Sequence, residues 1–116
     1  QLEGMSIACD AIISYGKRYG EYARELASKE KDEKKKNDLL LIAKNCDVVP
    51  ANKPETFHQA VQMYWFVHVG VTTELNIWDA FSPGRFDQHL NPFYEKDVDD
   101  NILNREKAKE ILECLR

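Results

Sequence analysis

In the stretch FSPGRFDQHLNPFY, residues 81–94, Arg85 and Asp87 stand two residues apart, among aromatic side chains and between Pro83 and Pro92. A guanidinium is planar, carries five donors and keeps its charge at any physiological pH, so burying it demands a carboxylate or carbonyls around it. Asp79, Asp87 and Glu74 are the nearby candidates. Left unpaired, such a charge would cost on the order of several kcal/mol. A cluster of this kind either holds a loop rigid beside a polar ligand or pins one element to another, and residue chemistry alone favours the second role.

Other reactive residue types give less. His58, His68 and His89 share no i, i+4 face, and His58 and His68 fall on roughly opposite sides of one helix, so no zinc site is expected. His68 sits inside an apolar run and reads as a hydrogen-bonded core histidine, because a neutral imidazole with one partner is cheaply buried. Asp97, Asp99 and Asn101 imitate the start of a calcium loop. However, Ile102 stands where the turn needs glycine and Ala108 where a bidentate glutamate belongs, so these acids read as a solvated turn. No Ser or Cys stands at a recognisable spacing from a histidine for nucleophilic catalysis. Metal ligands and bound cofactors are therefore not expected in this chain.

The elements that must position these residues come next. The chain has 116 residues, 43% of them hydrophobic, about one domain's worth of material. A formal charge of −4 with both signs interspersed offers no basic face and excludes nucleic acid as a partner. Cys9, Cys46 and Cys114 are odd in number and lack CxxC spacing, which suits a reducing, cytoplasmic setting. No stretch approaches the roughly 20 apolar residues of a membrane span, so no membrane partner is expected.

Apolar residues recur at helical spacing over 2–29, placing Met5, Cys9, Ile12, Ile13, Tyr19, Ala23 and Leu26 on one face of a long amphipathic helix. Gly16 and Gly20 cost that helix about 1 kcal/mol each relative to alanine, and mark either a close approach or an exposed face. The charged run 29–36 is a solvated turn or helix start leading into a buried helical segment at 39–43, which Pro50 brings to an end. Pro54 and Glu55 open a further helix. From Ala60 to Val71 that helix is apolar all round, so it should run through an interior larger than this chain builds easily. Residues 72–83 read as an irregular connection, 92–99 as a short helix, and Asn104 as the N-cap of a last helix with the stripe Ala108, Ile111, Leu112, Leu115.

The combination FHQAVQMYWFVH, WDAFSPGRFDQHLNPFYEKD and ILNREKAKEILECL, within residues 54–115, resembles the N-terminal-half segment of the pyruvate formate-lyase-like glycyl radical enzymes, in their dehydratase, decarboxylase and C–N lyase branch. The resemblance implies a mainly helical piece, with two N-terminal helices over 1–49, a buried helix and PGR loop over 50–91 and C-terminal helices over 92–116. It would be excised from a large ten-stranded α/β barrel, with Gln1 and Arg116 as artificial ends. In such enzymes a cysteine thiyl abstracts hydrogen from the substrate, and a glycine stores the radical after installation by an S-adenosylmethionine-dependent iron–sulfur activating enzyme. The cysteine's Gly-Cys-x-Glu type loop matches none of SIACDAI, KNCDVV or LECLR, and the Arg-Val-x-Gly-Tyr type glycine segment is absent. No catalytic residue is thus expected here, and the chain alone should be inactive.

By the same resemblance the loop entering PGR approaches the substrate. Asp79 would accept from or pair with a cationic amine, Ser82 would bond a hydroxyl, Phe81 lies between them, and Arg85, Asp87 and Gln88 scaffold the loop. The wording ELNIWD suggests a small amine-bearing substrate, hydroxyproline-like before choline or a glycerol-type diol. A non-catalytic helical interaction domain is the reading from another class. The intact protein is expected to be a homodimer that meets its activating enzyme, and this piece alone to self-associate through its apolar helix.

Overall fold

The computed structural model describes residues 1–75 and 82–115, with the side chains of residues 74 and 75 excepted. Among the described residues all regular structure is α-helical, and the chain divides into two compact units, Gln1–Lys53 and Pro54–Arg116.

The first unit is a helical hairpin of α1 (Leu2–Lys29) and α2 (Glu33–Cys46). Asp32 closes the turn as N-cap, its Oδ1 accepting from the amides of Lys34 at 2.9 Å and Lys35 at 3.2 Å. The buried residues of α1 are Gly16, Gly20, Ala23 and Ala27, so of the stripe read from the sequence only Ala23 is among them. Met5, Tyr19 and Leu26 are exposed, and so is Cys9. Packing explains the difference. A Cβ on Gly16 would stand 2.5 Å from Pro50 Cδ, and one on Gly20 would stand 2.9 Å from Cys46 Cβ, so the glycines mark a close approach of backbones. Twenty-eight residues of α1 span about 42 Å and fourteen of α2 about 21 Å, so α2 can cover only half of its partner. Leu2, Met5 and Ile7 lie on the other half and face outward. The segment at 39–43 is less buried than expected: Ala43 is inside, while Leu40 and Leu41 are exposed. The helix ends at Cys46, and Arg24 reaches across to both carboxylate oxygens of Asp47 at 2.6 Å.

The second unit packs α3 (Phe57–Leu75), α4 (Phe86–Asp99) and α5 (Arg105–Glu113) around Phe57, Ala60, Val61, Leu90, Ala108 and Ile111. The sequence placed 72–83 in an irregular connection, yet α3 continues to Leu75. It also started the fourth helix at Pro92, a favourable first position. Instead α4 begins six residues earlier and holds Pro92 in its interior. Proline there removes one helical hydrogen bond. The stripe Phe86, Leu90, Phe93, Tyr94 packed on the core offsets that loss.

Asn104 caps α5 as expected, accepting from the Lys107 amide at 2.8 Å, and Ala108 and Ile111 face inward while Leu112 is exposed. Asn104→Ala should cost about 1 kcal/mol. The expected readout in the intact protein is amide exchange about fivefold faster in the first turn of α5, with α1 unchanged.

Candidate functional site

Ser82, Pro83, Gly84 and Arg85 lead into α4 as an exposed strip. Gly84 has φ +64°, in the left-handed region that a side chain disfavours, which accounts for glycine at the centre of Pro-Gly-Arg. Ser82 Oγ accepts a long contact of 3.4 Å from the Gly84 amide and otherwise faces solvent. Arg85 is the N-cap residue of α4 without a side-chain cap bond, and Asp87 and Gln88 sit exposed on the first turn, where Asp87 suits the positive end of the helix dipole.

Of the charge cluster read from the sequence, only the Arg85 and Asp87 side chains are among those described, and no ion pair joins them. Among the described residues Arg85 is exposed and forms no ion pair, with Asp87 or with any other group. Asp79 and Phe81 lie outside the described residues, as does the side chain of Glu74.

Beside the strip, an open groove of about 620 Å³ runs between α4 and α5, with Phe57, Leu90, Tyr94 and Ala108 in its apolar floor and Asp87 and Arg105 on its rim. On α3, Tyr64, His68 and Thr72 follow one another at i, i+4 and i+8, a polar row along the helix. The Tyr64 ring stacks on His68 with centroids 5.7 Å apart and meets Phe86 edge-on at 4.9 Å, and Trp65 stacks on His68 at 6.4 Å. Thr72 Oγ1 donates to the His68 carbonyl at 2.9 Å. Burial pushes the Tyr64 phenol above its usual range. Trp65 and Val67 remain exposed, which leaves apolar surface on α3 open to solvent. No group of His, Cys, Asp and Glu among the described residues has the arrangement of a metal site. None of the described helices is long and apolar enough to cross a membrane.

One residue escaped the sequence reading. Asp97, assigned there to a solvated turn, is 2% exposed. Its Oδ2 accepts from the Phe57 amide at 2.7 Å, capping α3 from forty residues away. The signal was present: position 97 continues the stripe 86, 90, 93, 94 and closes the LxPFYxxD pattern.

A family model described as pyruvate formate lyase-like matches residues 1–116, the whole chain. The chain belongs to the pyruvate formate lyase-like family. Within it, the chain is 72% identical over 114 residues to trans-4-hydroxy-L-proline dehydratase of Clostridioides difficile, which covers 98% of this chain and 14% of that enzyme. The crystal structure of the Clostridioides difficile enzyme with trans-4-hydroxy-L-proline bound superposes with a TM-score of 0.94, over the same shares of the two chains. A glycyl radical enzyme from Archaeoglobus fulgidus matches at 48% identity and TM-score 0.84, over 89% of this chain and 13% of that one. The chain therefore spans about one seventh of the length of these pyruvate formate lyase-like relatives, and the helices described here are the part of their fold that it contains.

Proposed function

We propose that this chain forms one wall of a glycyl radical dehydratase acting on trans-4-hydroxyproline or a close analogue. The observation that carries the reading is 72% identity over 98% of the chain to a dehydratase of that substrate. Hydrogen abstraction by a cysteine thiyl and storage of the radical on glycine belong to loops outside these 116 residues. What this chain supplies is binding, orientation and exclusion of water.

In this reading Asp79 pairs with the substrate's ring ammonium, Ser82 bonds a hydroxyl and Phe81 gives an apolar surface beside them. Arg85, Asp87 and Gln88 hold the strip against other parts of the intact enzyme. The largely apolar α3, with Trp65 and Val67 open in this chain, suits the wall of a chamber from which water is kept out. Radical installation by an S-adenosylmethionine-dependent iron–sulfur enzyme, a homodimeric assembly and a cytoplasmic, anaerobic setting complete the proposal. Three free cysteines fit such a reducing environment.

The test is anaerobic turnover by the activated intact enzyme, its radical counted by electron paramagnetic resonance. Water loss from trans-4-hydroxy-L-proline is expected. Radical-bearing enzyme that turns over choline or a vicinal diol but leaves hydroxyproline untouched would overturn the assignment.

A further inference from the structure

Helix α1 carries a second stripe beside the one that α2 covers. Ile12, Tyr15, Tyr19, Tyr22 and Leu26 recur at alternating steps of three and four residues, the spacing of a heptad seam. Tyr19, Tyr22 and Leu26 are exposed at 47%, 56% and 37%. The Tyr15 and Tyr19 rings lie 4.7 Å apart and the Tyr15 hydroxyl donates to that of Tyr19 at 3.1 Å, which makes the middle of the seam one aromatic block. At 3.6 residues per turn the seam is centred about a quarter turn from Gly16, Gly20, Ala23 and Ala27, and it runs for about 21 Å, the length of α2. In a square bundle of four helices each helix touches two neighbours a quarter turn apart, and α2 is one of them.

A seam of this period is filled by another helix, and the charges beside it select which one. Arg18 and Glu25 flank the seam on the side away from Gly16 and Gly20, both exposed, seven positions apart and opposite in sign. Set antiparallel to itself about a two-fold axis between Gly20 and Glu21, the seam puts Tyr15 level with Leu26 of a second copy, and Tyr19 level with Tyr22. The same register brings Arg18 of each copy beside Glu25 of the other, so one contact makes two ion pairs. A parallel pair would instead set Arg18 against Ala23 and Glu25 against Glu30, with no attraction at the first and repulsion at the second.

We propose that the seam from Ile12 to Leu26 is the dimer interface of the intact protein, where two α1–α2 hairpins join antiparallel as a four-helix bundle. The tyrosines fill the contact, and the reciprocal Arg18–Glu25 pairs fix its register and direction. The proposal rests on the homodimeric part of the reading above, and the identity of the substrate plays no part in it.

The test is sedimentation velocity of the intact protein over a concentration series, with helix content checked by circular dichroism. Wild type is expected to be a dimer. Arg18→Glu and Glu25→Arg each set two like-charged pairs against one another and should weaken dimerisation about tenfold. Combined, they restore opposite charges, and the dissociation constant should return to within about threefold of wild type. Tyr19→Lys puts a charge at the centre of the seam and should weaken the dimer about a hundredfold. The two charge variants carry the test if Tyr19→Lys does not fold. A wild-type dimer that none of these substitutions moves, or a double variant no tighter than the single ones, overturns the interface while the homodimeric reading stands. The seam then belongs to a helix elsewhere in the intact polypeptide. A wild-type monomer overturns both.

Discussion

Asp79→Asn in the intact enzyme is expected to lower kcat/KM for hydroxyproline about a hundredfold. The substitution keeps shape and hydrogen-bonding reach but deletes the charge, which in the proposed pairing would leave a substrate ammonium without its counter-ion. Truncating one partner of a buried charge pair costs about 2–5 kcal/mol, so a hundredfold loss sits at the lower end of that range. The effect should depend on the charge of the substrate. A neutral diol accepted as a poor alternative ought to lose less than about tenfold, because its hydroxyl can bond to an amide as well as to a carboxylate. Equal losses for both substrates, or unchanged kinetics, would remove Asp79 from the amine site.

Gly16→Ala is the second large effect, and its sign runs against helix propensity. Alanine favours a helix interior by about 1 kcal/mol over glycine. At Gly16, however, the new Cβ would stand 2.5 Å from Pro50 Cδ, a separation that forces the turn after α2 to move. Overpacking of that kind costs about 1–3 kcal/mol, and more where a rigid ring is the obstacle, so a net loss of about 1–2 kcal/mol is expected. Amide exchange in α2 should then run about five- to thirtyfold faster. Gly4→Ala is the control, since a Cβ there meets nothing within 4 Å and should leave the hairpin intact or slightly firmer. If both substitutions behave alike, the close approach at Pro50 is not what holds the two helices together.

Local chemistry was legible where a residue acts on its own neighbours. The bounds of α1 and the Asn104 cap could be read directly, because periodicity and capping are properties of a few adjacent residues. Reading which side of a helix is buried was harder. The stripe of Met5, Tyr19 and Leu26 obeys helical spacing, but α2 packs on Gly16, Gly20, Ala23 and Ala27, and large residues can serve surfaces that this chain does not itself cover. Pro92 misled for a related reason: its local preference is to start a helix, and the core packing of Phe86 and Leu90 overrides that. Asp97 was hidden because its partner is forty positions away and its neighbours Asp99 and Asp100 are exposed. Of the candidate site residues, Ser82, Arg85, Asp87 and Gln88 are exposed along the strip leading into α4, where the pairing expected of Arg85 with Asp87 does not form.

The distance in sequence between Phe57 and Asp97 also has a consequence during synthesis. At roughly 5–20 residues per second, a ribosome needs about 2–8 s to add the forty residues that separate the first amide of α3 from its acceptor. For that interval the most apolar helix of the chain has neither its long-range cap nor α4 against it. Nascent polypeptides of this kind are exposed to holdase chaperones in that window, and codon choice between positions 57 and 97 would tune how long the window stays open.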